Sequence, residues 1–184
     1  MYHVRVKTDE GTEIISQSEI NNFIKYDENE STENDLILDM VKAARELLEK
    51  YLNISMKQKT YVLEFDGWSV DANLVDVPFG PVVSITSVKQ VDNEGTETPL
   101  TSATDYVSRG EQFKTIFLPY VGSDYRYIVE YVAGYGPGTE TLPEALKQAV
   151  MDLVKFWYQR EEQDMSIPAT IKSKVAPYSQ TTMI

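Results

Sequence analysis

The side chains that most often carry nucleophilic, acid–base and transition-metal chemistry are nearly missing from this chain. His3 is the one histidine and there is no cysteine. That excludes disulfides, thiolate zinc sites and cysteine nucleophiles together, and a transition-metal site would have to be built from carboxylates. A lone histidine on a strand-like N-terminal segment reads as a surface residue. Carboxylates are plentiful, but neither Asp27-Glu28-Asn29-Glu30 nor the trio Asp66, Asp71 and Asp76 has the ligand spacing and central glycine of a calcium loop. Weak surface calcium binding is the most they suggest. Paired carboxylates for glycoside hydrolysis are defined by separation in space, not in sequence. Trp68 beside Asp66 raises a carbohydrate-binding reading, against the plainer one of a tryptophan covering the edge of a sheet core. There is no Gly-x-Ser-x-Gly elbow and no phosphate loop. No enzyme and no cofactor are expected.

The elements that would position these groups change period along the chain. Ser16 with Glu19 forms a capping-box pattern before a short helix over 17–26. Thr32 and Asp35 offer a second cap, and Ile37, Met40, Val41, Ala44, Leu47, Leu48 and Tyr51 make an apolar stripe to Leu52. Lys42–Glu46 and Glu46–Lys50 are read as pairs on its outer face. Strands rich in Val, Ile, Tyr, Phe and Thr follow at 60–65, 74–77, 82–91, 106–107, 115–118 and 126–133. The turns between them, including Pro78-Phe79-Gly80-Pro81, are too short for crossover helices and imply an antiparallel meander or small sandwich.

From Tyr127 to Glu161 a strand runs through a glycine-punctuated loop, with Gly134, Gly136, Pro137 and Gly138, into a proline-started helix. Thr141 is the expected N-cap, with Leu142 or Pro143 as the first helical residue. Leu146, Ala149, Val150, Leu153, Val154 and Trp157 form its apolar stripe. Pro168 is expected to start a last short helix to Val175, and Pro177 to leave 176–184 as an extended tail, disordered in the isolated subunit.

The formal net charge is −12. Residues 1–35 hold nine acids against Arg5, Lys7 and Lys25, whereas from Ile167 onward there are Lys172 and Lys174 and no acid. So acidic a chain is poorly suited to gripping phosphate backbones. No apolar run approaches the roughly 20 residues of a membrane span, and the start lacks a signal-peptide core. Synthesis in the host cytoplasm, with no membrane partner, is expected.

In order and local motif the chain resembles the head–tail connector (adaptor, head-completion) proteins of tailed phages. The residues that carry the resemblance are Ala43-Ala44-Arg45-Glu46, the Pro-Phe-Gly-Pro turn with the strand after it, Ala133-Gly134-Tyr135-Gly136, Pro143, Tyr158, Arg160 and Glu161. It spans about residues 16–178. The resemblance implies an α+β fold: a helical bundle subdomain with an inserted small antiparallel β subdomain. Its parts are an N-terminal segment and helices (1–57), the β subdomain (58–134), C-terminal helices packed on the N-terminal helix (135–175) and the tail (176–184). It further implies a structural subunit of the virion neck, forming a homo-oligomeric ring, commonly a dodecamer. The ring would dock on the portal protein, meet a stopper or tail-completion protein, and let DNA pass without sequence-specific binding. The tail residues Pro177, Tyr178, Thr181, Thr182, Met183 and Ile184 are then expected to bind the portal. Asp27, Glu28, Glu30, Glu33, Glu161, Glu162 and Asp164 are expected to face the DNA channel, where acids repel phosphate. Another tail-completion or stopper protein, or a carbohydrate-binding or hydrolase domain, are the rival readings.

Overall fold

The computed structural model describes residues 2–9, 12–25, 31–136, 141–159 and 166–180, with 31–33 described by backbone alone. In chain order these form β1 (Tyr2–Thr8), α1 (Gln17–Ile24), α2 (Ser31–Leu52), β2 (Lys59–Asp66), β3 (Leu74–Asp76), β4 (Val82–Val91), β5 (Glu97–Pro99), β6 (Val107–Arg109), β7 (Thr115–Phe117), β8 (Arg126–Ala133), α3 (Glu144–Tyr158) and α4 (Ala169–Val175). The fold is α+β with antiparallel sheets.

A five-stranded sheet runs β1-β2-β8-β4-β5, and a three-stranded one runs β3-β7-β6. Because side chains alternate across a strand, Tyr61, Leu63 and Phe65 on β2 and Tyr127, Val129, Tyr131 and Ala133 on β8 all enter one core. Val75 and Ile116 of the smaller sheet close that core from the other side. A second core belongs to the helices. Ile37, Val41, Ala44, Leu48 and Leu52 of α2 meet Leu146, Val150, Leu153 and Trp157 of α3, with Ile171 and Val175 of α4 on the flank. The capping box forms as its pattern implies: Ser16 N–H donates to Glu19 Oε2 at 2.9 Å, and Glu19 N–H to Ser16 Oγ at 3.4 Å. Lys25, with φ 59°, ends α1 in a left-handed cap.

Four expectations are corrected. β5 is a strand the periodicity did not single out, whereas the strand-like N-terminal segment forms β1, one edge of the sheet, anchored by Tyr2 stacked on Phe65 at 5.7 Å. α3 starts at Glu144 with Pro143 as N-cap, not Thr141, because the Pro143 carbonyl already accepts the Leu146 and Lys147 amides. Trp68 does not cover the sheet core; it is 69% exposed. Gly67 turns inward so tightly that a Cβ there would lie 2.1 Å from the Gly122 carbonyl oxygen, and the 3-10 turn Gly67–Ser69 throws the next side chain outward. The C-terminal tail is not extended from Ala176: residues Ala176–Tyr178 form a 3-10 turn, and Tyr178 packs against the helical core.

Candidate functional site

The polar architecture concentrates where the helices meet the sheets. Arg45 and Glu49 lie one turn apart on α2, on its buried side. Arg45 is 0% exposed. Its Nε donates to Glu13 Oε1 at 2.8 Å and its Nη1 to Glu49 Oε2 at 2.8 Å. Lys59, the first residue of β2, donates to the same Glu49 oxygen at 2.6 Å, and the Met56 amide donates to Glu49 Oε1 at 2.7 Å. Two buried cations thus share Glu49, and Glu13 supplies the second negative charge. Burial disfavours the charged form of Arg45, but Glu49 and Glu13 outweigh it and its pKa moves upward. Arg45 Nη2 is buried with no hydrogen bond, 3.5 Å from Glu46. Glu46, read from sequence as the partner of Lys42 and Lys50, is therefore turned toward Arg45. The network ties α2, the segment before α1 and the start of β2 into one joint.

Beside it, the Pro78–Pro81 turn gathers the rest of the molecule. Phe79 takes a left-handed φ of 58° and stacks on Tyr61 at 5.2 Å, and Tyr61 stacks on Tyr131 at 5.5 Å. Tyr131 donates its hydroxyl proton to the Pro78 carbonyl at 2.9 Å. Burial pushes the phenol pKa of both tyrosines up, so both stay protonated donors. The Ser55 amide donates to the Gly80 carbonyl, and the Gly134 amide to the Pro81 carbonyl. Gly134 has to be glycine: its φ is +117°, and a Cβ there would sit 2.0 Å from the Lys57 carbonyl oxygen. Gln180 closes the turn from the far end of the chain. It accepts from Gly80 N–H at 2.9 Å, donates from Nε2 to the Val77 carbonyl at 3.1 Å, and gives its own amide to the Leu52 carbonyl at 2.8 Å. That last bond satisfies an acceptor that the end of α2 would otherwise leave open.

Of the expected portal-binding residues, Pro177 and Tyr178 lie in the 3-10 turn on the helical core, while Thr181, Thr182, Met183 and Ile184 lie outside the described residues. Of the expected channel-facing acids, Asp27, Glu28, Glu30, Glu161, Glu162 and Asp164 lie outside them too, and Glu33 is placed only by its backbone in α2. Gly138 and Pro137 of the glycine loop, and the motif residues Arg160 and Glu161, are likewise outside. Sequence reading missed Glu13, Glu49, Lys59 and Gln180. The family motif marked Arg45 but none of its partners, and Gln180 carried no signal. Among the described residues no group of three or more acids and histidines gathers to hold a metal ion, and no helix is long and apolar enough to cross a membrane.

This arrangement defines an α+β unit whose buried polar groups join its own parts. Residues 13–174 match the head completion protein family. The chain belongs to that family, and its resemblance to head–tail connector proteins is borne out. Three solved structures share the fold. A chain in the neck of an empty GTA particle computed with C6 symmetry aligns with TM-score 0.78 and 18% identity, over 99% of this chain and 97% of that one. A chain in the virion of a native gene transfer agent (GTA) particle aligns with TM-score 0.79 and 16% identity, over 98% and 97%. A chain in the neck of a native GTA particle computed with C12 symmetry aligns with TM-score 0.70 and 17% identity, over 99% and 97%. No curated protein matches the chain.

Proposed function

We propose that the protein is a structural subunit of the phage neck: an adaptor ring that docks on the portal and prolongs the DNA channel toward the tail. The observation that carries this reading is the family match across residues 13–174. The shared fold with chains of GTA necks computed with C6 and C12 symmetry supports a ring in the virion, which we read as a dodecamer. The helical bundle is the ring's body and the β half its inserted arm. The portal lies on one side and a stopper or tail-completion protein on the other.

Two assignments go with the ring. The acids Asp27, Glu28, Glu30, Glu33, Glu161, Glu162 and Asp164 line the bore and keep phosphate sliding rather than bound. Pro177, Tyr178, Thr181, Thr182, Met183 and Ile184, on either side of the point where Gln180 anchors the chain, engage the portal. Mixed with the portal protein of the same phage, the chain is expected to leave the monomer state as a closed ring by native mass spectrometry. A protein that stays monomeric beside its portal, but binds the tail tube, would instead be a tail-completion protein.

A further inference from the structure

The end of the five-stranded sheet remote from the helices carries a feature that the joint does not use. The strands β2, β8 and β4 end together at Asp66, Arg126 and Val91. Along β2 this is seven residues from Lys59, roughly 23 Å at the rise of a strand. Here Trp68 and Tyr125 line an open cleft of about 470 Å³ together with Asp66, Asp92, Asp124 and Arg126. The cleft is built, not incidental. Gly67 donates its amide to the Tyr125 carbonyl at 2.8 Å, the Tyr125 ring covers Gly122 too closely for any Cβ there, and the Gly122 amide bonds the Tyr127 hydroxyl at 3.1 Å. Two loops are locked together, so Trp68 is presented at 69% exposure from a rigid support. Asp92 accepts the Glu94 and Thr96 amides, which lower its pKa and keep it ionised.

An aromatic face flanked by carboxylates attracts a cationic side chain. In a chain with 17 Lys and Arg against 29 Asp and Glu, cations without nearby acids are scarce. The described residues 166–180 hold Lys172 and Lys174 and no acid, and both lysines lie exposed on α4, within the helical half. Lys174 bonds Asp152 at 2.7 Å. Lys172 already sits over an aromatic ring, that of Tyr51, at 5.7 Å, and Tyr51 is itself 44% exposed. The two patches therefore lie on different halves of the molecule and are opposite in net charge: the cleft sets three carboxylates against Arg126, and α4 offers Lys172 beyond the Lys174–Asp152 pair.

We propose that the Trp68–Tyr125 cleft of one subunit receives the α4 face of a second copy, centred on Lys172. The contact joins unlike surfaces, so it repeats head to tail and closes into a ring when the rotation between copies allows. The inference rests on the ring reading above. A rigid exposed tryptophan at the centre of such a contact acts as an anchor, and its truncation weakens association about thirtyfold.

The test is native mass spectrometry and sedimentation of full-length protein assembled with its portal, each variant first checked for an unchanged melting curve. Trp68→Ala is expected to disperse the ring. Asp124→Lys and Lys172→Glu are each expected to weaken it about tenfold, because like charges then face each other across the contact. The two charge variants mixed in equal amounts are expected to assemble again, since each supplies the other's missing sign. Wild type that assembles while all three variants assemble equally well overturns the cleft contact and leaves the ring reading standing. Wild type that never assembles with its portal overturns both.

Discussion

The helical and sheet cores of this protein differ in how much of their filling is aromatic. Around α2, α3 and α4 the buried residues are almost all aliphatic, with Trp157 and Tyr135 at the margin. Between the sheets five of the fourteen buried residues are aromatic, and rings stack across neighbouring strands: Phe65 on Tyr127 at 5.3 Å, Tyr61 on Tyr131 at 5.5 Å. Aliphatic stripes fix which face of a helix is buried but tolerate sliding along it. Stacked rings have a preferred offset and hold strand register more tightly. The helical half therefore relies on something else for its position, and that is the buried ion network at its border with β2.

The comparison is broken most directly at Glu49. Glu49→Gln leaves Arg45 and Lys59 buried without their shared carboxylate, and a loss of roughly 3–5 kcal/mol is expected in denaturant unfolding. If the loss is under 1 kcal/mol, the network is not what holds the two halves together. On the sheet side, Tyr61→Leu removes two ring stacks and the hydroxyl bond to Ser55 Oγ at 3.0 Å. About 2–3 kcal/mol should be lost, with hydrogen exchange speeding up first in β2 and β8. Gln180→Ala removes the side-chain bonds to the Gly80 amide and the Val77 carbonyl, and about 1–2 kcal/mol is expected from the same assay. Faster exchange confined to residues near Gly80 would sharpen the view of Gln180 as a clasp across both halves.

The smallest effect belongs to an exposed pair. Lys147 donates to Glu19 at 2.6 Å, and with the Ser16 hydrogen bonds it lowers the Glu19 pKa to about 2. A depressed carboxylate pKa contributes stability at neutral pH that is lost as pH falls from about 4.5 toward 2. Because Glu19 is 45% exposed, Glu19→Gln is expected to cost less than about 1 kcal/mol at pH 7 and nothing near pH 2. A carbon-detected titration of Glu19 with its midpoint near 4.5 would remove the basis for this.

How much of this was legible in the residues follows from the range of each signal. The apolar stripes of α2 and α3, the Ser16–Glu19 box and the long strands β2, β4 and β8 are local patterns, and each forms close to where its pattern lies. β5 is three residues long with every side chain exposed, so it has no burial pattern to read. Arg45 and Glu49, four apart on a helix, look like an ordinary surface pair; only the fold brings Glu13 and Lys59 to them and excludes water. Gln180 is a plain polar residue whose partners are about a hundred positions away. Trp68 was misread because the decisive fact, the collision a Cβ would make with Gly122, belongs to a contact between distant loops.

Ionic strength distinguishes the buried joint from the subunit contact proposed above. Arg45, Glu49 and Lys59 are all under 8% exposed, so dissolved counterions do not reach between them, and the joint should hold as salt is raised. Contacts between acidic and basic surfaces of separate subunits are screened within about 8 Å at physiological salt. With the proposed contact, a subunit is expected to leave its assembly and rejoin it by salt alone, keeping its shape throughout.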